Sequence, residues 1–134
     1  MSKITIFAIV LLIVILLSIP AELRRRRNLN KYWARSCTGK RWKTLFPDIP
    51  KDDIRDFLEQ FVDGFAFSSK KRLKFEPDDK VMEVYQSIYP QQGFADALEL
   101  ETFAINLEKK YGLKLENILN SEITLGQIFK LTRD

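Results

Sequence analysis

The residue types from which catalytic sites are usually assembled are nearly absent from this chain. There is no histidine, and Cys37 is the single cysteine. Without imidazole there is no base poised near neutral pH, no Ser-His-Asp relay, and the commonest metal ligand is missing. One thiol supports neither an internal disulfide nor a structural zinc site, which fits a reducing compartment. Carboxylates are plentiful, and Asp52-Asp53 and Asp78-Asp79 stand side by side. Sequence neighbours point apart on a helix, however, and helix N-termini favour acids without any catalytic role. Thr38-Gly39-Lys40 lacks the upstream glycine and the following hydroxyl of a phosphate loop. The expectation is a non-enzyme that carries neither cofactor nor metal.

Binding chemistry is better represented, and charge divides it along the chain. Residues 1–43 hold ten Lys and Arg against Glu22 alone, a net charge of +9, while residues 44–134 hold twelve against seventeen, a net charge of −5. Ile4 to Ile19 is uncharged and almost wholly Ile, Leu, Val, Phe and Ala. With Pro20 and Ala21 it reaches the lower end of the ~17–25 residues that cross a bilayer. A cleaved signal peptide is the rival. Against it stand a leading segment with only Lys3 as its charge and the bulky Ile19 two residues before Ala21. The run Arg24, Arg25, Arg26, Arg27 follows at once, and positive charge beside a span stays on the cytoplasmic side. An uncleaved anchor with the rest of the chain in the cytoplasm is expected.

Between Glu22 and Lys43 the basic residues mix with Tyr32, Trp33 and Trp42. Basic residues beside aromatics also suit nucleic acid. Next to a span, headgroup contact is the plainer account, because each basic residue gains ~1 kcal/mol near an anionic surface. The organisation expected is therefore an anchor at residues 1–21, a basic juxtamembrane linker at 22–49 and a helical domain at 50–134. Membrane lipids are the expected partners of residues 4–21 and of Arg24 to Arg27, and no nucleic acid is expected.

The domain reads as helices. Ile54, Phe57, Leu58, Phe61, Val62 and Phe65 repeat at helical spacing from about Lys51 to Ala66. A basic loop, Ser68 to Lys74, leads to a short helix within Asp78 to Tyr89, with Val81, Val84, Tyr85 and Ile88 on one side. Leu100, Phe103, Ala104, Leu107 and Tyr111 form the next apolar stripe, with Asp96 placed to cap its start and Gly112 to end it. Ile118 and Leu119 suit a short third helix. Thr124 with Gln127 makes a capping-box pair that opens a last helix through Leu125, Ile128, Phe129 and Leu131. The ten phenylalanines fit a core better than a ligand box, although a small apolar pocket between such helices is a further possibility. The fold class expected is all-α.

The stripe helix has a second pattern. Leu98, Glu101, Ile105 and Glu108 share a face roughly opposite the core stripe. Two large apolar side chains flanked by carboxylates on a wet face read as a partner surface, although scattered exposed apolar residues are also ordinary.

At these residues the chain resembles acyl carrier proteins, and most closely a small bacterial acyl-carrier-like family. Phe94-Ala95-Asp96-Ala97-Leu98-Glu99 is similar to the run that opens the carrier's second helix. Leu107-Glu108-Lys109-Lys110-Tyr111 and Leu113-Lys114-Leu115 are similar to its end and exit, and Ile123-Thr124-Leu125 to the start of its last helix. The resemblance covers about Pro50 to Leu131, and its second half is the specific part. It implies a bundle of three to four helices behind an anchor in a bacterial inner membrane, with Leu98, Glu101, Ile105 and Glu108 on the helix that carriers turn toward partner enzymes. It also implies a departure. Ala97 stands where a carrier has the serine that bears phosphopantetheine, and a methyl group is neither nucleophile nor ester oxygen. Thr102 lies too far round the helix to substitute. The functions that follow are a membrane-anchored docking or adaptor module, or a non-covalent binder of lipid or acyl chains. A weaker alternative is a small regulator acting through the span.

Overall fold

The computed structural model describes residues 2–89 and 98–134, apart from the side chain of Ala21. Ala97, Asp96 and the Phe94-Ala95 pair of the resemblance therefore lie outside the described residues.

The chain is all-helical, and its first helix is the longest. Helix α1, Lys3–Trp33, starts with the Ser2 side chain accepting from the Thr5 amide and runs without a break through Pro20. Its 31 residues correspond to ~46 Å at 1.5 Å per residue. The N-terminal part is apolar and long enough to span a membrane, and its most apolar window is wholly exposed. The C-terminal part behaves differently. Leu29 and Tyr32 are buried in the core, and Trp33 packs against it.

Helix α2, Gly39–Leu45, adds Trp42, which is completely buried and donates its ring N–H to the Phe75 carbonyl at 2.8 Å. The expectation of headgroup contact fails for Tyr32 and Trp42. Both rings are core, because flat amphipathic rings with one polar tip are stable inside once that tip finds a partner.

Helix α3, Lys51–Gly64, buries Ile54, Phe57, Leu58, Phe61 and Val62, the stripe its spacing predicts. Helix α5, Leu98–Tyr111, lies against it and buries Phe103 and Leu107, with Leu100, Ala104 and Tyr111 packed at the edges. The two helices approach so closely at Gly64 that a Cβ there would stand 2.7 Å from the Phe103 Cα. Gly112 ends α5 in the left-handed region, at φ 69°, as its position predicts. Rings then tile the interior: the Phe61 centroid lies 4.6 Å from Phe65, 4.9 Å from Phe75 and 5.3 Å from Phe103.

The segment Ser69–Lys74 is a 3₁₀ stretch rather than a loose loop, and most of its cations are engaged. Arg72 pairs with Glu59 at 3.4 Å, Lys71 sits over the Trp33 ring, and Lys74 donates to the Arg35 carbonyl. Helix α4, Val81–Ile88, runs beside the lower part of α1, held by Asn28 donating to the Ser87 carbonyl and by the Lys31–Glu83 pair. After α5 the expected third helix is only a 3₁₀ turn, Leu115–Asn117, one step ahead of Ile118 and Leu119. Helix α6, Leu125–Thr132, opens on the full Thr124–Gln127 capping box. It is docked by the Leu125 and Gly126 amides donating to the Asp79 and Pro77 carbonyls.

Candidate functional site

Two surfaces of this framework carry the residues singled out by sequence. The first is the outer side of α5. Phe103 and Leu107 fix the rotation of the helix by entering the core, so positions offset from them turn outward. Leu98 is 57% and Ile105 51% exposed, and Glu101 and Glu108 are exposed beside them. All four predicted partner residues thus share an accessible face. The stripe carries two large apolar side chains, each more than half exposed, set among carboxylates.

The second surface is the junction between the apolar half of α1 and the helical body. Arg24, Arg26 and Arg27 are exposed, whereas Arg25 is half-buried. Glu22 accepts from Arg26 Nε at 3.3 Å and stands 3.9 Å from Arg25, pairs one helical turn apart. Because α4 ends beside this stretch, Ile88 and Tyr89 meet Ser18, Ile19 and Arg25 around an open cleft of about 610 Å³. Glu99, from the beginning of α5, closes it. The Tyr89 hydroxyl and one Glu99 oxygen are hydrogen-bonded. The other Glu99 oxygen and Arg25 Nε are buried and have no hydrogen-bond partner among the described residues. Buried polar atoms are nearly always satisfied, so two orphans lining one cleft mark it for notice.

A third constellation escaped the sequence reading. Just beyond α1, Arg35 forms a two-pronged pair with Asp79, at 2.7 and 2.9 Å, and also donates to the Lys74 carbonyl. Asp79 is 8% exposed and takes the Glu76 amide as well. The hydrogen bonds to Asp79 raise the Arg35 pKa above its ordinary value. Thr38 caps the same seam by donating to the Phe75 carbonyl. These contacts tie the end of α1 to the segment before α4; they are structural, and nothing among them resembles a reaction centre. Their signal in sequence is faint, since Arg35 and Asp79 are 44 positions apart.

Burial shifts two phenols. Tyr32 is raised above its ordinary pKa, chiefly by desolvation, and Tyr111 is pushed up to about 12 by burial first and then by Asp56 and Asp53. Among the described residues no cluster of three or more potential metal ligands occurs. Compared with family models, curated proteins and solved structures, the chain matches none of them.

Proposed function

We propose that the chain is a membrane-anchored, acyl-carrier-like module that lacks the prosthetic-group serine and works, without catalysis, by docking a partner protein. The observation that carries this reading is the outer face of α5, where Leu98 and Ile105 are more than half exposed between Glu101 and Glu108. The partner it fits presents a shallow apolar site rimmed with basic residues on the cytoplasmic side of the membrane. Arg24 to Arg27, against the headgroups, would hold the module in place.

A photo-crosslinking side chain at Ile105 tests the reading, with the exposed Lys130 of α6 as the reference position. A discrete partner band at Ile105, lost on Glu101→Lys with Glu108→Lys, is the expected result. Equal labelling at both positions would sink it. The resemblance is tested separately: Ala97→Ser should accept phosphopantetheine from coenzyme A and a broad-specificity transferase, while the parent chain should gain no mass. A reporter fused after Asp134 should behave as cytoplasmic.

One observation favours the second reading, non-covalent lipid binding. The cleft between α1 and Glu99 opens at the end of the apolar segment and holds the orphaned Arg25 and Glu99 atoms. A zwitterionic headgroup would satisfy both, its phosphate toward Arg25 and its ammonium toward Glu99. Phospholipid retained by the purified parent and lost in Glu99→Gln would favour that account over docking.

A further inference from the structure

Away from the α5 face and from the α1 junction, a cleft of about 470 Å³ opens between α2 and the first turn of α3. Lys40, Lys43, Lys51 and Arg55 line it, and no acidic residue does among the described residues. Its apolar wall comes from the buried Ile54 and the half-buried Leu73, and the exposed Cys37 thiol completes it. Such a volume suits a small metabolite-sized ligand.

Among the described residues these cations are left largely unneutralised. Lys43 is held by the Pro47 and Ile49 carbonyls, which orient its charge without cancelling it. Arg55 has a single loose contact, 4.0 Å to the largely exposed Asp52. Neither Lys40 nor Lys51 enters an ion pair among the described residues. Elsewhere the chain pairs its cations readily, as at Arg35–Asp79, Arg41–Asp78, Lys80–Glu122 and Arg133–Asp53. Four like charges around one concavity repel one another and focus a positive potential into it. The chemistry that relieves this is an anion, and the wall of Ile54 and Leu73 asks for a short apolar body behind it. An aromatic platform for stacked bases is missing from the lining, so a nucleic-acid strand is a poorer fit.

We infer that the cleft between α2 and α3 binds an anionic amphiphile, a phosphate group joined to a short alkyl chain, with Lys40, Lys51 and Arg55 on the phosphate and Ile54 and Leu73 on the alkyl part. The phosphate comes either from a soluble monoester or from a lipid headgroup. This site does not depend on the docking face of α5.

Cys37 reports on it directly, because it is the only cysteine and lines the cleft. The full chain is placed in nanodiscs of phosphatidylcholine and the iodoacetamide alkylation rate of Cys37 is followed. Butyl phosphate should slow the reaction saturably, by 1 + [L]/Kd, or about fivefold at four times Kd. Butanol and matched sodium chloride should leave the rate unchanged. Lys51→Ala with Arg55→Ala, both exposed positions, should melt like the parent and lose the protection. If nanodiscs containing phosphatidic acid protect Cys37 with no butyl phosphate added, the phosphate source is the headgroup; if they do not, it is the soluble ester. Absence of protection by butyl phosphate, equal protection by butanol or salt, or full protection in the double variant would each overturn the assignment.

Discussion

The two halves of α1 are the same secondary structure in opposite circumstances. From Ile4 to Ile19 the large apolar side chains are exposed, in a stretch long and apolar enough to cross a membrane. From Leu29 to Trp33 the helix is one more member of the bundle, with Leu29 and Tyr32 buried and Tyr32 5.4 Å from the Phe75 ring. Nothing flexible separates them, since α1 is unbroken between. The apolar half and the packed half are therefore one continuous helix. The basic stretch that looks like a tether by composition is part of the fold by packing.

Truncation separates the two halves of α1 most sharply. A chain beginning at Glu22 keeps Leu29, Tyr32, Arg35 and Trp42 and should melt cooperatively in water. A chain beginning at Pro50 loses all four and should not fold, because two fully buried rings and a buried carboxylate's partner leave together. Circular dichroism melts decide it. A stable 50–134 fragment would return the stretch to the status of a linker.

Smaller effects sharpen the contrast between inside and outside. Phe103→Ala and Trp42→Ala should each cost about 3–5 kcal/mol by denaturant titration. Leu98→Ala with Ile105→Ala should cost well under ~1 kcal/mol, since both are exposed. If the exposed pair unfolds the chain as badly as Phe103→Ala does, that face is core and docking through it fails. Gly64→Ala should also destabilise, out of proportion to one methyl group, because α5 backbone fills the space it would enter.

The smallest effect is a matter of pH. A phenol whose folded pKa lies above its unfolded value favours the folded state fully below about pH 10 and loses that contribution as the pH climbs through about 12. Stability should therefore fall between those limits, and Tyr111→Phe should flatten the fall. Unchanged slopes would show that Tyr111 is not desolvated as its packing implies.

Which parts were legible in the sequence follows from the range of the interactions. The stripes of α3, α5 and α6, the Gly112 stop and the Thr124–Gln127 box are periodic or local, and all are present. Leu29 and Tyr32 are only two apolar positions one turn apart amid arginines, too sparse for a stripe. Tyr32 packs against Phe75, more than forty positions away. The Arg35–Asp79 pair is equally remote in sequence. The third helix shrank to a 3₁₀ turn because Ile118 and Leu119 pack as the chain turns toward α6. The exposure of Leu98, Glu101, Ile105 and Glu108 was readable, since the buried Phe103 and Leu107 leave the helix little choice of rotation. Both clefts were not, for each is assembled from separate helices.

The unbroken α1 also makes the molecule a lever. Membrane helices tilt by ~20° on average, and by more where the hydrocarbon is thin for their length. A tether would absorb that tilt, but a continuous rod of ~46 Å transmits it to whatever is fixed at its far end. With the apolar half in a bilayer, each change in local thickness would swing the α5 face and the α2–α3 cleft through the same angle. In that setting the pose of the bundle would follow the lipid around the helix.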